Sequence, residues 1–203
     1  MRDLSQLPAD LPVPTDDGAA RHLHCRILPD LALESTRGRM VNLSDATAGR
    51  AVLFFYPRSG RPEQPPPDGW DLIPGARGCT PQSCGFRDLA AEFSAFHCAI
   101  FGVSTQTSEY QREFANRVHL PFELLSDAQL ALTHTLQLPT MDFPIASGGP
   151  RTLIKRLSIL VEARRIVQVW YPVFPPNENA ATVLAWLRGR PTGTPANHNT
   201  GSG

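Results

Sequence analysis

Two cysteines stand five residues apart in Arg77-Gly-Cys-Thr-Pro-Gln-Ser-Cys-Gly-Phe-Arg-Asp88, where a Gly/Pro-rich stretch gives way to a helix-like pattern. Pro81 is compatible only with the first turn of a helix, where its missing N–H has no partner to lose. Cys79 is therefore expected at a helix N-terminus. Free backbone N–H groups and about half a positive charge gather there and favour the thiolate, which is the nucleophilic form. The position activates Cys79 without a metal. In an intact helix, a separation of five residues puts the two Cα atoms roughly 8 to 9 Å apart on different faces. A disulfide needs them within about 7 Å, so a bond between Cys79 and Cys84 requires the first turn to unwind. The plainer alternative is a pair of inert cysteines.

The other cysteines carry weaker signals. Cys98 lies in an apolar run and reads as a small core hydrophobe. Cys25, in His22-Leu-His-Cys25, reads as an exposed thiol, with a second thiol partner or a metal ligand as alternatives. The spacing of Cys79 and Cys84 does not match the usual zinc patterns, and no metal is expected.

Several elements must position these residues. Ala51-Val-Leu-Phe-Phe-Tyr56 and Cys98-Ala-Ile-Phe-Gly-Val103 are short apolar runs of the kind buried on both sheet faces. From Cys79 to Phe96, apolar residues recur at helical spacing (Phe86, Leu89, Ala90, Phe93, Phe96). Further helices are expected over about 108–118, 127–135 and 179–187, and a hairpin over 158–161 and 166–170. The pattern predicts an α/β domain with a central mixed sheet and helices on both faces.

The 203 residues suit one domain with extra segments. Lys+Arg and Asp+Glu number 19 each, which leaves no electrostatic footprint for nucleic acid. No apolar run reaches the length of a membrane span and no signal peptide is legible, so the expectation is a cytoplasmic protein without membrane contact. Four cysteines are too few for a disulfide scaffold, so any disulfide is expected to be catalytic. The 20 prolines are about twice the usual share. They mark an N-terminal arm, residues 1–27, expected to be partly disordered. The domain is expected over 28–190, with a disordered tail over 191–203.

The cysteine segment resembles the peroxiredoxins, in particular the Q-type group related to bacterioferritin comigratory protein. The likeness extends through Asn42-Leu-Ser-Asp45, Ala51-Val-Leu-Phe-Phe-Tyr-Pro57, Phe101-Gly-Val-Ser104, Leu120-Pro-Phe-Glu-Leu-Leu-Ser-Asp127, Arg156-Leu-Ser-Ile-Leu160 and Val167-Gln-Val-Trp-Tyr171. It implies a thioredoxin-like fold and a thiol-dependent peroxidase acting on hydrogen peroxide and alkyl hydroperoxides. By the resemblance, Cys79 attacks the peroxide and becomes a sulfenic acid, and Cys84 condenses with it to an intramolecular disulfide. Arg156 falls on the arginine that approaches the sulfur from the sheet and polarises the O–O bond. Thioredoxin or a glutaredoxin-like protein is the implied reductant, and a monomer or weak homodimer the expected state. No haem, flavin or metal cofactor is needed, because cysteine sulfur supplies the electrons.

Two departures from that pattern stand out. The family threonine three residues before the reactive cysteine is Ala76 here, and losing a positioned donor costs on the order of 2 to 4 kcal/mol in transition-state stabilisation if nothing replaces it. Residues 58–75 form an inserted loop of some 15 extra residues by comparison with the family pattern, read as a functional flap or a plain surface connection. Trp70 and Ile73 are its candidates for capping an apolar pocket or a subunit contact. Two rival functions use the same cysteine pair: a thiol–disulfide oxidoreductase and a redox-sensing protein that has lost turnover.

Overall fold

The computed structural model describes residues 7–8, 10–143 and 151–189, so the tail expected over 191–203 lies outside them. Seven strands form one mixed sheet in the order β2-β1-β5-β4-β3-β8-β9. They are β1 (Ala32–Ser35), β2 (Met40–Asn42), β3 (Arg50–Phe55), β4 (Cys98–Ser104), β5 (Glu123–Ser126), β8 (Leu157–Glu162) and β9 (Arg165–Trp170). A separate two-stranded sheet pairs β6 (Thr140–Asp142) with β7 (Thr152–Ile154). The β3–β4 and β4–β5 pairs run parallel, and β3–β8 and β8–β9 antiparallel.

Alternation along β3 decides the layers. Val52 and Phe54 face a core shared with Phe86, Phe93, Phe114, Val183 and Leu184. Ala51, Leu53 and Phe55 face the opposite core, with Leu43, Leu132 and Leu136. Helices α2 (Cys79–Asp88), α3 (Ala90–Ala95), α4 (Ser108–Arg117) and α6 (Asn179–Gly189) supply the first side; α1 (Leu43–Ala46) and α5 (Ala131–Leu136) supply the second. Both faces of the sheet are covered, as continuous apolar strands require.

The structure departs from the sequence expectations in three places. The residues 79–96 expected as one helix are two, broken at Leu89, and both Phe86 and Phe93 still reach the same core. The helix expected from 127 begins at Ala131, because Leu130 takes a left-handed conformation and the Asp127 carboxylate accepts from the Leu132 and Thr133 N–H groups. The segment read as an N-terminal arm is anchored toward its end. Ala20 and Leu23 are buried in the main core, Ile27 bridges to Arg165, and Lys155 and Tyr171 both bond Asp17. A stretch with few apolar residues still docks when those few cover an open edge of the core.

Candidate active site

Cys79 is the first residue of α2, and Gly78 before it has φ +105. That conformation strains any side chain, and a Cβ there would overlap the Pro176 ring. Glycine thus lets the chain turn sharply into the helix while the 176–178 turn packs against it. Pro81 sits in the first turn, as its chemistry requires. Cys79 is 4% exposed.

Arg156 comes from the opposite direction, at the junction of β7 and β8, and is itself buried. Its Nη2 donates to the Cys79 sulfur at 3.2 Å and to the Ala76 and Arg77 carbonyl oxygens at 3.0 Å each. Its Nη1 donates to the Gln82 side-chain oxygen. Gln82 in turn donates to Asn179 Oδ1 at 3.0 Å, and Ser158 donates to the same oxygen at 2.6 Å. Gln82, Asn179 and Ser158 are buried. A single polar chain therefore joins α2, α6 and β8 and fixes the guanidinium beside the sulfur. A positive charge held in a desolvated site acts more strongly on a developing anion than it would in water.

Ala76 supplies no hydroxyl but is not idle: its carbonyl is an anchor for Arg156 and accepts from the Cys79 thiol at 3.7 Å. Tyr56 is buried at the end of the β3 run and donates to Gln111 Oε1 at 2.6 Å. Burial, and secondarily the adjacent Cys79, push its phenol well above the usual value, so it stays protonated. Cys84 lies within the same intact helix, half-buried, with its thiol pushed up by burial; both cysteines are free thiols. Cys98 is buried in β4 with its thiol pushed up to about 12, and Cys25 is an exposed thiol 3.0 Å from His24 Nδ1.

The segment 58–75 forms a wall of the site. Trp70 is buried edge-on against Phe143 with ring centroids 5.2 Å apart, and together with Ala76 and Leu153 it makes a small core of its own. Asp71 pairs with Arg77 at 2.7 Å, and Gly60 accepts from Arg117 at 2.8 Å. The result is a cleft of about 70 Å³ lined by Cys79, Ala76, Trp70, Pro66, Arg61 and Tyr110 among others. Ile73 lines a neighbouring cavity instead.

Sequence reasoning missed Tyr56 as a neighbour of the sulfur, and it missed Gln82, Ser158 and Asn179. The available signal was a polar residue inside an otherwise apolar segment: Gln82 on the core side of a helix, Ser158 in a buried strand.

A buried cysteine at a helix start, faced by an arginine from a mixed sheet, defines a thioredoxin-like thiol enzyme. The Redoxin family matches residues 26–184, and the chain belongs to it. A peroxiredoxin Bcp of Bacillus subtilis is 34% identical over 146 residues, covering 71% of this chain and 82% of the relative. Peroxiredoxin Bcp of Escherichia coli is 28% identical over 162 residues, covering 80% and 93%. The crystal structure of peroxidoxin BcpB from Mycobacterium tuberculosis superposes with a TM-score of 0.65 at 28% identity, covering 81% of this chain and 96% of that one. Within the redoxins the chain is a Q-type peroxiredoxin, a thiol-dependent peroxidase. Among the described residues no helix is long and apolar enough to cross a membrane.

Proposed function

We propose that Cys79 is the peroxide-reacting residue, Cys84 the resolving one, and Arg156 the electrostatic partner of the reaction. The observation that carries this reading is the 3.2 Å contact from Arg156 to the Cys79 sulfur. The sulfur attacks the outer oxygen of a hydroperoxide, the O–O bond breaks, and the alcohol or water leaves with the proton. Cys79 is then a sulfenic acid. The guanidinium stabilises negative charge on sulfur and on the departing oxygen. Cys84 attacks the sulfenic sulfur, water leaves, and a disulfide forms within α2, which requires the first turn of that helix to open. A dithiol protein of the thioredoxin or glutaredoxin type returns two electrons and two protons. A reducing compartment such as the cytoplasm suits that cycle, and a monomer or weak homodimer suffices for it.

One equivalent of hydrogen peroxide added to the reduced protein, followed by digestion and disulfide mapping, is expected to give a Cys79–Cys84 bond. Cys84→Ser is expected to leave Cys79 as a trappable sulfenic acid. A bond from Cys79 to Cys25 or Cys98 would overturn the resolving role, and an untouched Cys79 would overturn the whole assignment.

A further inference from the structure

We propose that Arg61 and Tyr110 form the specificity-determining end of the Cys79 cleft, holding a carboxylate on the organic part of the hydroperoxide. The inference rests on the reading of Cys79 as the peroxide-reacting residue and adds the chemical class of its substrate. Arg61 belongs to the 58–75 insertion and Tyr110 to the first turn of α4; both line the cleft that contains Cys79. The Arg61 guanidinium lies 4.7 Å over the Tyr110 ring. The Tyr110 hydroxyl and Arg61 Nε are both shielded from solvent and lack a hydrogen-bond partner. Glu113 makes a long ion pair with Arg61, 3.9 Å from Nε and beyond hydrogen-bond distance, and is engaged more closely by Arg117 at 2.8 Å. The Arg61 side chain as a whole is 38% exposed.

Buried donors left unpaired are costly and call for an explanation. Both orphaned atoms are N–H or O–H donors, so what they lack is an acceptor. One of them belongs to a permanent cation whose planar fork matches a carboxylate, so the acceptor group is anionic. Pro65, Pro66, Pro67 and Trp70 line the same cleft and give it an apolar surface fit for a hydrocarbon or aromatic linker. The substrate so defined has a hydroperoxide at one end, beside Arg156 and Cys79, and a carboxylate at the other. Hydrogen peroxide carries no such group and gains nothing from the pair.

The test compares cumene hydroperoxide with its para-carboxylated analogue, which differ only in the charged group. Rate constants for Cys79 oxidation in the reduced full-length protein are measured by stopped flow, and their ratio is divided by the same ratio for free cysteine. The expected wild-type ratio favours the carboxylated peroxide about tenfold, the usual scale of one charge-assisted hydrogen bond. Arg61→Ala is expected to bring the ratio to about one, and Tyr110→Phe to lower it about threefold. A wild-type ratio within about twofold of free cysteine overturns the inference, and this outcome does not depend on any variant folding. An Arg61→Ala protein that keeps the wild-type ratio overturns it too. Failure of both peroxides and of hydrogen peroxide to oxidise Cys79 would overturn the underlying reading, and this inference with it.

Discussion

Replacing Asn179 with alanine tests whether the buried polar chain behind Arg156 matters to both stability and chemistry. In the native protein Asn179 Oδ1 accepts from Gln82 at 3.0 Å and from Ser158 at 2.6 Å, and all three residues are buried. Alanine removes the shared acceptor and leaves two buried donors unpaired. At about 1 to 3 kcal/mol each, the loss comes to about 2 to 6 kcal/mol. For a chain of this size that lowers Tm by about 4 to 24 °C. Ser158→Ala removes one donor and leaves Asn179 bonded to Gln82, so it is expected to cost about 1 kcal/mol. In the double variant the stranded serine hydroxyl no longer exists, and the combined loss is expected to fall short of the sum by about 1 kcal/mol. Chemistry should follow, because Gln82 loses the bond that orients its side-chain oxygen toward Arg156 Nη1: oxidation of Cys79 by hydrogen peroxide is expected to slow about tenfold. Thermal unfolding of the four reduced proteins and stopped-flow oxidation supply the numbers. A Tm change under about 2 °C in Asn179→Ala, with strictly additive losses and an unaltered oxidation rate, would refute the reasoning.

Two further predictions follow from the titrating groups. Burial first of all holds the Cys98 thiol near 12, so iodoacetamide at pH 8 should label the exposed Cys25 and leave Cys98 unmodified in the native protein; rapid labelling of Cys98 would contradict its burial. The Asp17 carboxyl is lowered to about 2, chiefly by its bond from Lys155, then by the Ala19 N–H and the Tyr171 hydroxyl. Its folded value lies below the unfolded one, so its contribution is present above about pH 4 and is lost as pH falls through about 2. The side chain is 44% exposed and solvent screening keeps the effect small. Hydrogen exchange over residues 17–27, corrected for intrinsic rates, should therefore rise between about pH 4 and 2 in the wild type and stay flat in Asp17→Asn; identical profiles would remove Asp17 as the anchor.

Elements whose signal is a long apolar run or a strong helical period were legible in the sequence: β3, β4, the β8–β9 hairpin, α4 and α6 all fall close to their expected places. The short pieces were not. Strands β1 and β2 span four and three residues, only half of β1 is buried, and β6–β7 stands apart from the main sheet. Such edges are defined by pairing partners far along the chain rather than by local composition. The cysteine pair was legible because Pro81 and the apolar residues after it mark a helix start. Arg156 entered through family resemblance, since an arginine at a strand start carries no local signature. Gln82, Ser158 and Asn179 meet only through tertiary contact, and the insertion's role in walling the cleft depends on Trp70 finding Phe143 some seventy positions later.

The left-handed turn at Gly78 has a bearing on timing. Pro176 abuts it, and the Asn177 carbonyl oxygen lies 3.2 Å from where a side chain at Gly85 would begin, so the reactive helix is braced at two points by the same short turn. On the proposed chemistry that brace must let go before the second cysteine can reach the first. The tighter it holds, the longer the oxidised sulfur waits, and the better the odds that another oxidant molecule drives it to the irreversible sulfinic form. A few atoms of Pro176 thus help to set the oxidant dose at which the protein retires from service.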